Sequence, residues 1–594
     1  MTGSQSPQEK QLRGIALSPG IAMGVVHRLE NRLPDTPEYR VHGEQILVER
    51  QRFMTAANRS RDQYWQARQE IPKGGALVSE VSCLLDAHCM MLEDALLRKG
   101  ILAFIDQGCN AEWAVRQYLE RMVTKFNKVE DPYLQEKRMD VEQVCKRLLI
   151  NLIHQPGQAN ELVQQPVILV AQDFSPADIL LISQQQVVGL AMAEGGPTSH
   201  TAIFAKSFGL PAVGGVVELL EQVQPLDRLV VDGLLGRIWL HPTPELEQRY
   251  RLQQEGFVEF RNRLLTEPVR PATTLDGYTV SLQANIERVE EANQALRAGS
   301  EAVGLYRTDH LFFNRKGMLA EEEQYESYCR VLRIMEGRPV TFRTMDMPSC
   351  QQGTSQTPEG EVAGSALGMR GIRYGLRLGR RPLTGQFRAL LRAASHGPLA
   401  ILLPMVATRG ELVEALQLLE QVRSDMVSEG ILDVGLRVPV GIMVEVPAAA
   451  LCARQLAPLV DFFSIGTNDL VQYTLAVDRV DQQVAEFYNP AHAAVLELIR
   501  LTVDAAHEAG IRVTVCGEMA SDPRFVPLLL ALQVDVFSIS PMCLPMIRRL
   551  IQNLHLARAK EILQAALSGS PSAQILQQLE ELVREHHGVC HASE

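Results

Sequence analysis

The amino-acid sequence predicts a multidomain α/β protein in which a split α/β domain with an inserted helical domain is followed by a (β/α)8 barrel. Three observations lead to this fold class. The chain has 594 residues, which is too long for a single hydrophobic core, so several domains are expected. Within the first 240 residues the pattern changes from short strands to amphipathic helices and back. From about residue 262 onward, strands and helices alternate over some 300 residues.

The split α/β domain is predicted over residues 1–41 and 153–240. Its first part contains "GIALSPGIAMGVVHRL", a β-branched segment with glycine and proline turns that is typical of short strands. The candidate strands of its second part are "PVILVA", "VVGLAMA" and "RLVVDG". Between the two parts, residues 42–152 carry apolar side chains at helical spacing and predict the helical insertion. A linker helix is expected over 241–261.

The barrel is predicted over residues 262–580, with a C-terminal tail over 581–594. Its seven candidate strands are "TVSLQAN", "AVGLYRT", "VTFRTMD", "LAILLPMV", "VPVGIMVEV", "DFFSIGT" and "RVTVCGE". Alternating strands and helices favour a parallel sheet, and the length of the region favours its closure into a barrel. A doubly wound open sheet is the structural alternative.

Composition excludes several classes of partner. The net charge of -12 argues against nucleic acid or an anionic membrane as the main partner. The sequence contains no run of 18 apolar residues, so no transmembrane helix is predicted. The polar N-terminus lacks the apolar core of a signal peptide. The ten cysteines form no CxxC pair, so neither a zinc ribbon nor a disulfide framework is indicated. A reducing cytoplasm is the expected location.

Charged and polar side chains follow the candidate strands of the barrel, where the function of such folds resides. They are Arg307, Arg343, Asp346, Glu445, Asn468, Asp469 and Cys516, with Arg370, Arg373 and Arg479 nearby. Guanidinium groups suit the oxygens of phosphate and carboxylate. Glu445 and Asp469 could hold one Mg²⁺ ion, and Cys516 could serve as a proton donor or a nucleophile. The set fits a small phosphorylated carboxylic acid.

A histidine in the first half of the chain is a candidate phosphoryl acceptor. His200 lies in "AEGGPTSHTAIFAK", behind Gly195 and Gly196 and at the start of an expected helix. Neutral imidazole is a competent nucleophile near pH 7. The stretch alone also allows a histidine that only caps the helix.

Several longer motifs occur in one order: "SPGIAMG", "GGPTSHTAIFAKSFGLPAVGG", "GLYRTDHLFF", "VTFRTMD", "GIMVEVPAAA", "VDFFSIGTNDLVQYTLAVDR", "YNPAHAAVLELI" and "VCGEMASDP". With these motifs the sequence resembles, over nearly its whole length, the enzyme I family of the bacterial phosphoenolpyruvate:sugar phosphotransferase system. The 20-residue "VDFFSIGTNDLVQYTLAVDR" is the most specific of them.

The resemblance implies an activity and a role for each candidate residue. His200, on a swivelling phosphohistidine domain, would take the phosphoryl group of phosphoenolpyruvate and pass it to a histidine of HPr, a small phosphocarrier protein that docks on the helical insertion. Such a transfer would begin sugar uptake or a related regulatory chain. Arg307, Arg343 and Arg479 would grip the substrate, with Arg370 alongside and Asn468 positioning it. Glu445 and Asp469 would bind Mg²⁺, and Cys516 would protonate the enolate. The family dimerises through its barrel.

Three departures from the family pattern stand out. "RTMD" is followed by "MPSCQQGTSQ" where the family usually has an Ile-Gly-Gly-Asp-Lys run. Asp309 replaces the usual glutamate, and the expected docking helix gains Arg98 and Lys99. These changes allow an alternative, a catalytically impaired relative that acts as a regulator or scaffold. The retained histidine, arginines, carboxylate pair and cysteine favour a working enzyme.

A second alternative is a pyruvate phosphate dikinase or phosphoenolpyruvate synthase, which adds an ATP-binding module to a similar barrel and phosphohistidine domain. The 199 residues that precede His200 contain no glycine-rich phosphate loop with a lysine. The sequence therefore disfavours this class.

Overall fold

A computed structural model describes the chain over residues 9–29, 36–70, 76–126, 132–153, 165–174, 186–195, 201–202, 205, 208–266, 269–312, 319–346, 367–478, 484 and 487–586. The chain forms two compact units, Met1–Glu255 and Gly256–Glu594. The division falls inside one helix, α7 (Pro244–Thr266), in the region predicted as a linker.

The first unit is built on a mixed sheet with the strand order β1-β8-β7-β3-β4-β5-β6-β2. These strands are β1 (Lys10–Arg13), β2 (Ile15–Ser18), β3 (Ile21–Arg28), β4 (Val167–Ala171), β5 (Val187–Met192), β6 (Ala212–Gly214), β7 (Arg228–Asp232) and β8 (Arg237–Leu240). β4 is buried along its whole length, because apolar clusters pack on both of its faces. Two segments far apart in sequence, β3 and β4, pair in parallel at the centre of this sheet.

Five described helices lie in the chain between β3 and β4. They are α1 (Glu44–Glu70), α2 (Ala76–Glu93), α3 (Ala95–Asp106), α4 (Ala111–Phe126) and α5 (Pro132–Ile153). Their apolar faces meet in a core that includes the fully buried side chains of Phe53, Tyr64 and Leu92. Helical spacing of apolar residues places them on one face of each helix, which explains this packing. A short helix, α6 (Leu219–Gln222), precedes β7.

The second unit contains a closed barrel of eight parallel strands, which confirms the predicted fold class and excludes the open sheet. The strands are β10 (Thr279–Ile286), β11 (Val303–Arg307), β12 (Val340–Arg343), β13 (Leu399–Leu403), β14 (Val440–Val444), β15 (Phe462–Ile465), β16 (Arg512–Val515) and β17 (Val536–Ile539). Closure follows because β10 pairs in parallel with both β11 and β17. A two-residue strand, β9 (Ala272–Thr273), pairs with β10 in the antiparallel direction.

Helices surround the barrel and cover its outer face. They are α8 (Glu291–Arg297), α9 (Glu321–Ile334), α10 (Gly371–Arg377), α11 (Arg380–Ala393), α12 (Arg409–Ser428), α13 (Pro447–Leu451), α14 (Ala453–Leu456), α15 (Thr467–Leu475), α16 (Ala493–Glu508), α17 (Glu518–Ser521), α18 (Val526–Ala531), α19 (Leu544–Asn553), α20 (Leu556–Leu567) and α21 (Ser572–His586). The last helix runs past residue 580, where the sequence suggested the start of a tail. Within the described ranges, no helix is long and apolar enough to cross a membrane.

Candidate active site at the carboxyl end of the barrel

The barrel brings most of the predicted site residues to one end. Arg307 is the last residue of β11 and Arg343 the last residue of β12. Glu445 directly follows β14, and Cys516 directly follows β16. Asn468 and Asp469 lie in the first turn of α15, just after β15. Since all eight barrel strands are parallel, these side chains share the carboxyl end, as the sequence predicted.

Arg343 is the buried cation of this site. Its Nη2 atom donates to Asp309 Oδ2, its Nη1 atom lies 3.6 Å from Asp346 Oδ2, and its side chain is only 7% exposed. Burial alone would lower the pKa of Arg343, but the Asp309, Asp346 and Glu445 carboxylates outweigh burial and raise it. Asp309 also accepts the backbone N–H of Asp346 at 2.8 Å. Asp309, which stands where the resembled family usually has glutamate, therefore links the loop after β11 to the loop after β12.

Arg370 lies immediately before α10 and meets Asp346 with two hydrogen bonds. Its Nε and Nη2 atoms donate to the two carboxylate oxygens at 3.1 and 2.7 Å, and Nη1 donates to the Tyr473 hydroxyl at 3.1 Å. Nη2 also lies 3.6 Å from Asp469 Oδ2. Burial would raise the pKa of Asp346, but Arg343 and Arg370 lower it below its usual range. Asp346 is therefore a carboxylate that orients two arginines.

Glu445 and Asp469 form the carboxylate pair that the sequence predicts as a magnesium site. Glu445 is buried, and its Oε1 atom accepts the backbone N–H of Met405 at 2.7 Å. Burial, with the charges of Asp469 and Asp346, raises the pKa of Glu445 well above its usual range. In the described part of the chain, no group of three or more His, Cys, Asp and Glu side chains could hold a metal. Two carboxylates close enough to influence each other's charge nevertheless fit Mg²⁺, which keeps water and substrate oxygens as its other ligands.

Cys516 lies inside the barrel end as a protonated thiol. Ser464 Oγ donates to Cys516 Sγ at 3.2 Å, and Sγ lies 3.5 Å from the Ile465 carbonyl oxygen. Burial raises the pKa of Cys516 to about 11, and Ser464 lowers it only in part. At neutral pH the thiol therefore keeps its proton, which suits a proton donor better than a thiolate nucleophile.

Asn468 joins the loops after β15 and β16. Its side-chain oxygen accepts the backbone N–H of Glu518 at 2.8 Å. Gly517 lies between Cys516 and Glu518, and a Cβ atom there would come within 1.8 Å of Thr467 Oγ1. The chain therefore needs glycine at 517, because the two loops approach each other too closely for a side chain.

Two predicted site residues, His200 and Arg479, lie outside the described residues, as does the altered segment "MPSCQQGTSQ". Thr201, the residue after His200, is buried, and its hydroxyl donates to Asp173 Oδ1 at 3.0 Å. Thr201 is therefore the described residue next to the candidate acceptor, His200.

Three residues of the site were not predicted from the sequence. Ser464 contacts Cys516, Tyr473 contacts Arg370, and Glu287 Oε1 accepts Arg307 Nη1 at 2.7 Å. Tyr473 follows Asp469 by four residues, so helical spacing could have placed both on one face of α15. Glu287 directly follows β10, so the rule that found the other strand-end residues applied to it as well.

Comparison with known proteins now defines the class. Three family models match the chain in order: "PEP-utilising enzyme, N-terminal" over residues 13–137, "PEP-utilising enzyme, mobile domain" over 163–236, and "PEP-utilising enzyme, PEP-binding domain" over 261–556. The last of these spans all eight barrel strands and every described site residue. The chain therefore belongs to the class of PEP-utilising enzymes.

Full-length relatives narrow the class further. A phosphoenolpyruvate-protein phosphotransferase of Cupriavidus necator is 37% identical over 586 residues, which cover 96% of this chain and 99% of the relative. A protein of the same name from Haemophilus influenzae is 36% identical over 97% of this chain and 99% of its own length. The chain belongs to the phosphoenolpyruvate-protein phosphotransferase family, which confirms the resemblance to enzyme I found in its motifs.

Proposed function

We propose that this chain is an active phosphoenolpyruvate-protein phosphotransferase that phosphorylates its own His200 and then a histidine of an HPr-type carrier protein. The observation that carries the proposal is the convergence of three arginines, two carboxylates and a buried thiol at one end of the barrel. Phosphoryl transfer depends mainly on positioning and on electrostatic stabilisation, and this set supplies both. Its retention favours a working enzyme over the impaired alternative.

The arginines have distinct tasks in this proposal. Arg343 and Arg370 are held by buried aspartates, so their guanidinium groups are fixed before the substrate arrives. Such preorganised donors stabilise the charge of the transferring phosphoryl group without reorganising during the reaction. Arg307 is about half exposed and can meet the incoming anion. Arg479 is assigned to the substrate by the family motif alone.

Glu445 and Asp469 are the proposed ligands of Mg²⁺. When bound, the ion would neutralise charge on the substrate oxygens. Asn468, the neighbour of Asp469, would donate a hydrogen bond to the substrate from its amide nitrogen, because its amide oxygen already accepts the Glu518 N–H.

Cys516 completes the chemistry of the leaving group. As the bond between phosphorus and the enol oxygen breaks, a bond forms between phosphorus and a ring nitrogen of His200. The enolate of pyruvate that remains takes one proton from the Cys516 thiol at its methylene carbon, and the thiolate regains a proton from water. A thiol that stays protonated at neutral pH fits this role.

The first unit would carry the second half of the reaction. We assign residues 1–41 and 153–240 to the phosphohistidine domain, 42–152 to the carrier-docking domain, 241–261 to the linker, 262–586 to the barrel with its last helix, and 587–594 to a tail. The family pattern supports a homodimer formed through the barrel, and the composition supports a cytoplasmic location.

Incubation with phosphoenolpyruvate labelled in its phosphate, in the presence of Mg²⁺, tests the proposed function. We expect the protein to acquire acid-labile, base-stable phosphate, as expected for phosphohistidine, and to release pyruvate. Addition of an HPr-type carrier should then move the label to the carrier. A folded, dimeric protein that takes no label would overturn the proposal and support the regulator or scaffold. ATP labelled in its γ-phosphate should label nothing.

Replacing Cys516 with alanine should slow turnover by roughly 10²–10⁴-fold, because the enolate loses its proton donor. The rate of pyruvate release measures this loss. Cys329→Ala is the matched control, since Cys329 is also a buried cysteine of the barrel unit but lies on α9, outside the site. A Cys516→Ala protein that releases pyruvate at the wild-type rate would refute the proton-donor role.

A further inference from the structure

Arg307 differs from the other two described arginines of the site. Arg343 and Arg370 are held by aspartates whose side chains are almost fully buried. The shortest described contact of Arg307 is to Glu287, with Nη1 and Oε1 2.7 Å apart, and their side chains are 47% and 20% exposed. The Nε atom of Arg307 also lies 3.5 Å from Asp309 Oδ2. An ion pair that is open to water exchanges partners at little cost. Among the contacts of these three arginines with carboxylates, the contact between Arg307 and Glu287 is therefore the most exposed to water and the easiest to replace.

The barrel fixes the backbone of Glu287 next to Arg307. Strands β10 and β11 are parallel neighbours in which Ile286 pairs with Tyr306, so the two charged residues follow side by side. The N–H of Glu287 donates to Glu291 Oε2 at 2.8 Å. A substitution at position 287 therefore changes the side chain beside Arg307, while the backbone N–H of residue 287 keeps its hydrogen bond to Glu291.

We propose that Glu287 is a specificity-determining residue that occupies Arg307 in the free protein and competes with the phosphate group of the substrate for it. The proposal rests on the proposed function, because it assigns Arg307 to a phosphorylated ligand. The substrate phosphate and the Glu287 carboxylate would repel each other at the same Nη1 atom of Arg307, so the phosphate must displace the carboxylate from that atom. Glu287 thereby weakens binding of phosphate-bearing ligands and leaves the bond-breaking step unchanged.

The sign of this effect separates competition from support. If Glu287 only oriented Arg307, its removal would weaken substrate binding. Competition predicts the opposite result, a gain in affinity when the charge is removed. Exposed ion pairs and nearby like charges have modest energies, so we expect a change of about three- to tenfold.

The test compares the full-length wild type with Glu287→Gln, which keeps the shape of the side chain and removes its charge. KM for phosphoenolpyruvate should fall about three- to tenfold, with kcat unchanged. The dissociation constant of inorganic phosphate, measured by calorimetry without turnover, should fall by a similar factor. Glu301→Gln is the control, since this exposed glutamate precedes β11 at the opposite end of the strand from Arg307. It should leave both constants unchanged.

The outcomes distinguish the two proposals. An active Glu287→Gln protein whose KM is unchanged or raised overturns the competition and leaves the proposed function intact. Tighter phosphate binding in Glu287→Gln, with no phosphoryl transfer by either protein, refutes the proposed function and supports the competition at Arg307. A similar gain in Glu301→Gln would show a general effect of net charge and overturn the assignment to Glu287.

Discussion

Replacing Arg343 with leucine is expected to lower the free energy of unfolding of the barrel by about 3–5 kcal/mol and to abolish phosphorylation of the protein. Arg343 is buried beside Asp309 and Asp346, both of which are themselves buried carboxylates. Removing Arg343 takes away the closest cation of Asp309 and one of the two cations of Asp346, in a medium that solvates these carboxylates poorly. The same change removes a fixed cation from the site, so stability and activity should fall together.

The unfolding of each unit can be followed separately in the full-length chain. All three tryptophans, Trp65, Trp113 and Trp239, belong to the first unit. Tryptophan fluorescence therefore reports on that unit, while circular dichroism reports on both. In Arg343→Leu, the transition seen by circular dichroism and absent from fluorescence should move to lower urea concentration. The fluorescence transition should not move.

A second substitution identifies the cause of the instability. Adding Asp309→Asn to Arg343→Leu should recover part of the lost stability, because it removes a buried carboxylate that has lost its shortest ion pair and keeps only the longer contact with Arg307 Nε, at 3.5 Å. Activity should stay absent, since the cation is still missing. Arg454→Ala is the control on the surface of the same unit, where Arg454 forms an ion pair with Glu508 and both side chains are exposed. It should not shift either transition, and a shift of equal size would show that any lost arginine has this effect.

The fold was predictable where strands carried a long apolar pattern. The seven named strands of the barrel all appear in the structure, while the eighth, Val536–Ile539, was missed. Its four residues are as many as β12, β15 and β16 have, but Gln533 and Asp535 interrupt the apolar pattern just before it, and barrel closure supplies its pairing with β10 and β16. The short strands Ala212–Gly214 and Arg237–Leu240 escaped prediction for the same reason, because their stability depends on neighbours distant in sequence.

The position of the site followed from the sequence, but its internal contacts did not. Arg343 and Glu445 were located because parallel strands place their carboxyl ends together. The pairing of Arg343 with Asp309, and of Arg370 with Asp346, depends on the side-chain directions in two separate loops, after β11 and after β12. The raised pKa of Cys516 likewise follows from burial that only the closed barrel creates. The spacing of residues along the chain predicts neither these ion pairs nor the burial of Cys516.

Replacing His200 with alanine is expected to abolish phosphorylation completely while the protein still binds phosphoenolpyruvate. Alanine offers no ring nitrogen, so the phosphoryl group has no acceptor and the carrier receives none. All described residues of the substrate site belong to the unit Gly256–Glu594, whereas His200 belongs to the other unit. The affinity for the substrate, measured by calorimetry, should therefore equal that of the wild type. Labelling with phosphoenolpyruvate and Mg²⁺ measures the loss of phosphorylation.

His42→Ala is the matched control, because His42 is an exposed histidine of the same unit as His200. It should be labelled like the wild type. Label that persists on His200→Ala would show that another side chain accepts the phosphoryl group and would contradict the proposed relay. Loss of both label and substrate binding would show instead that the substitution disturbs the barrel site, and that outcome would refute the separation of roles between the two units. Loss of label alone divides the reaction as proposed, with the barrel unit breaking the phosphate ester and His200 carrying the phosphoryl group onward.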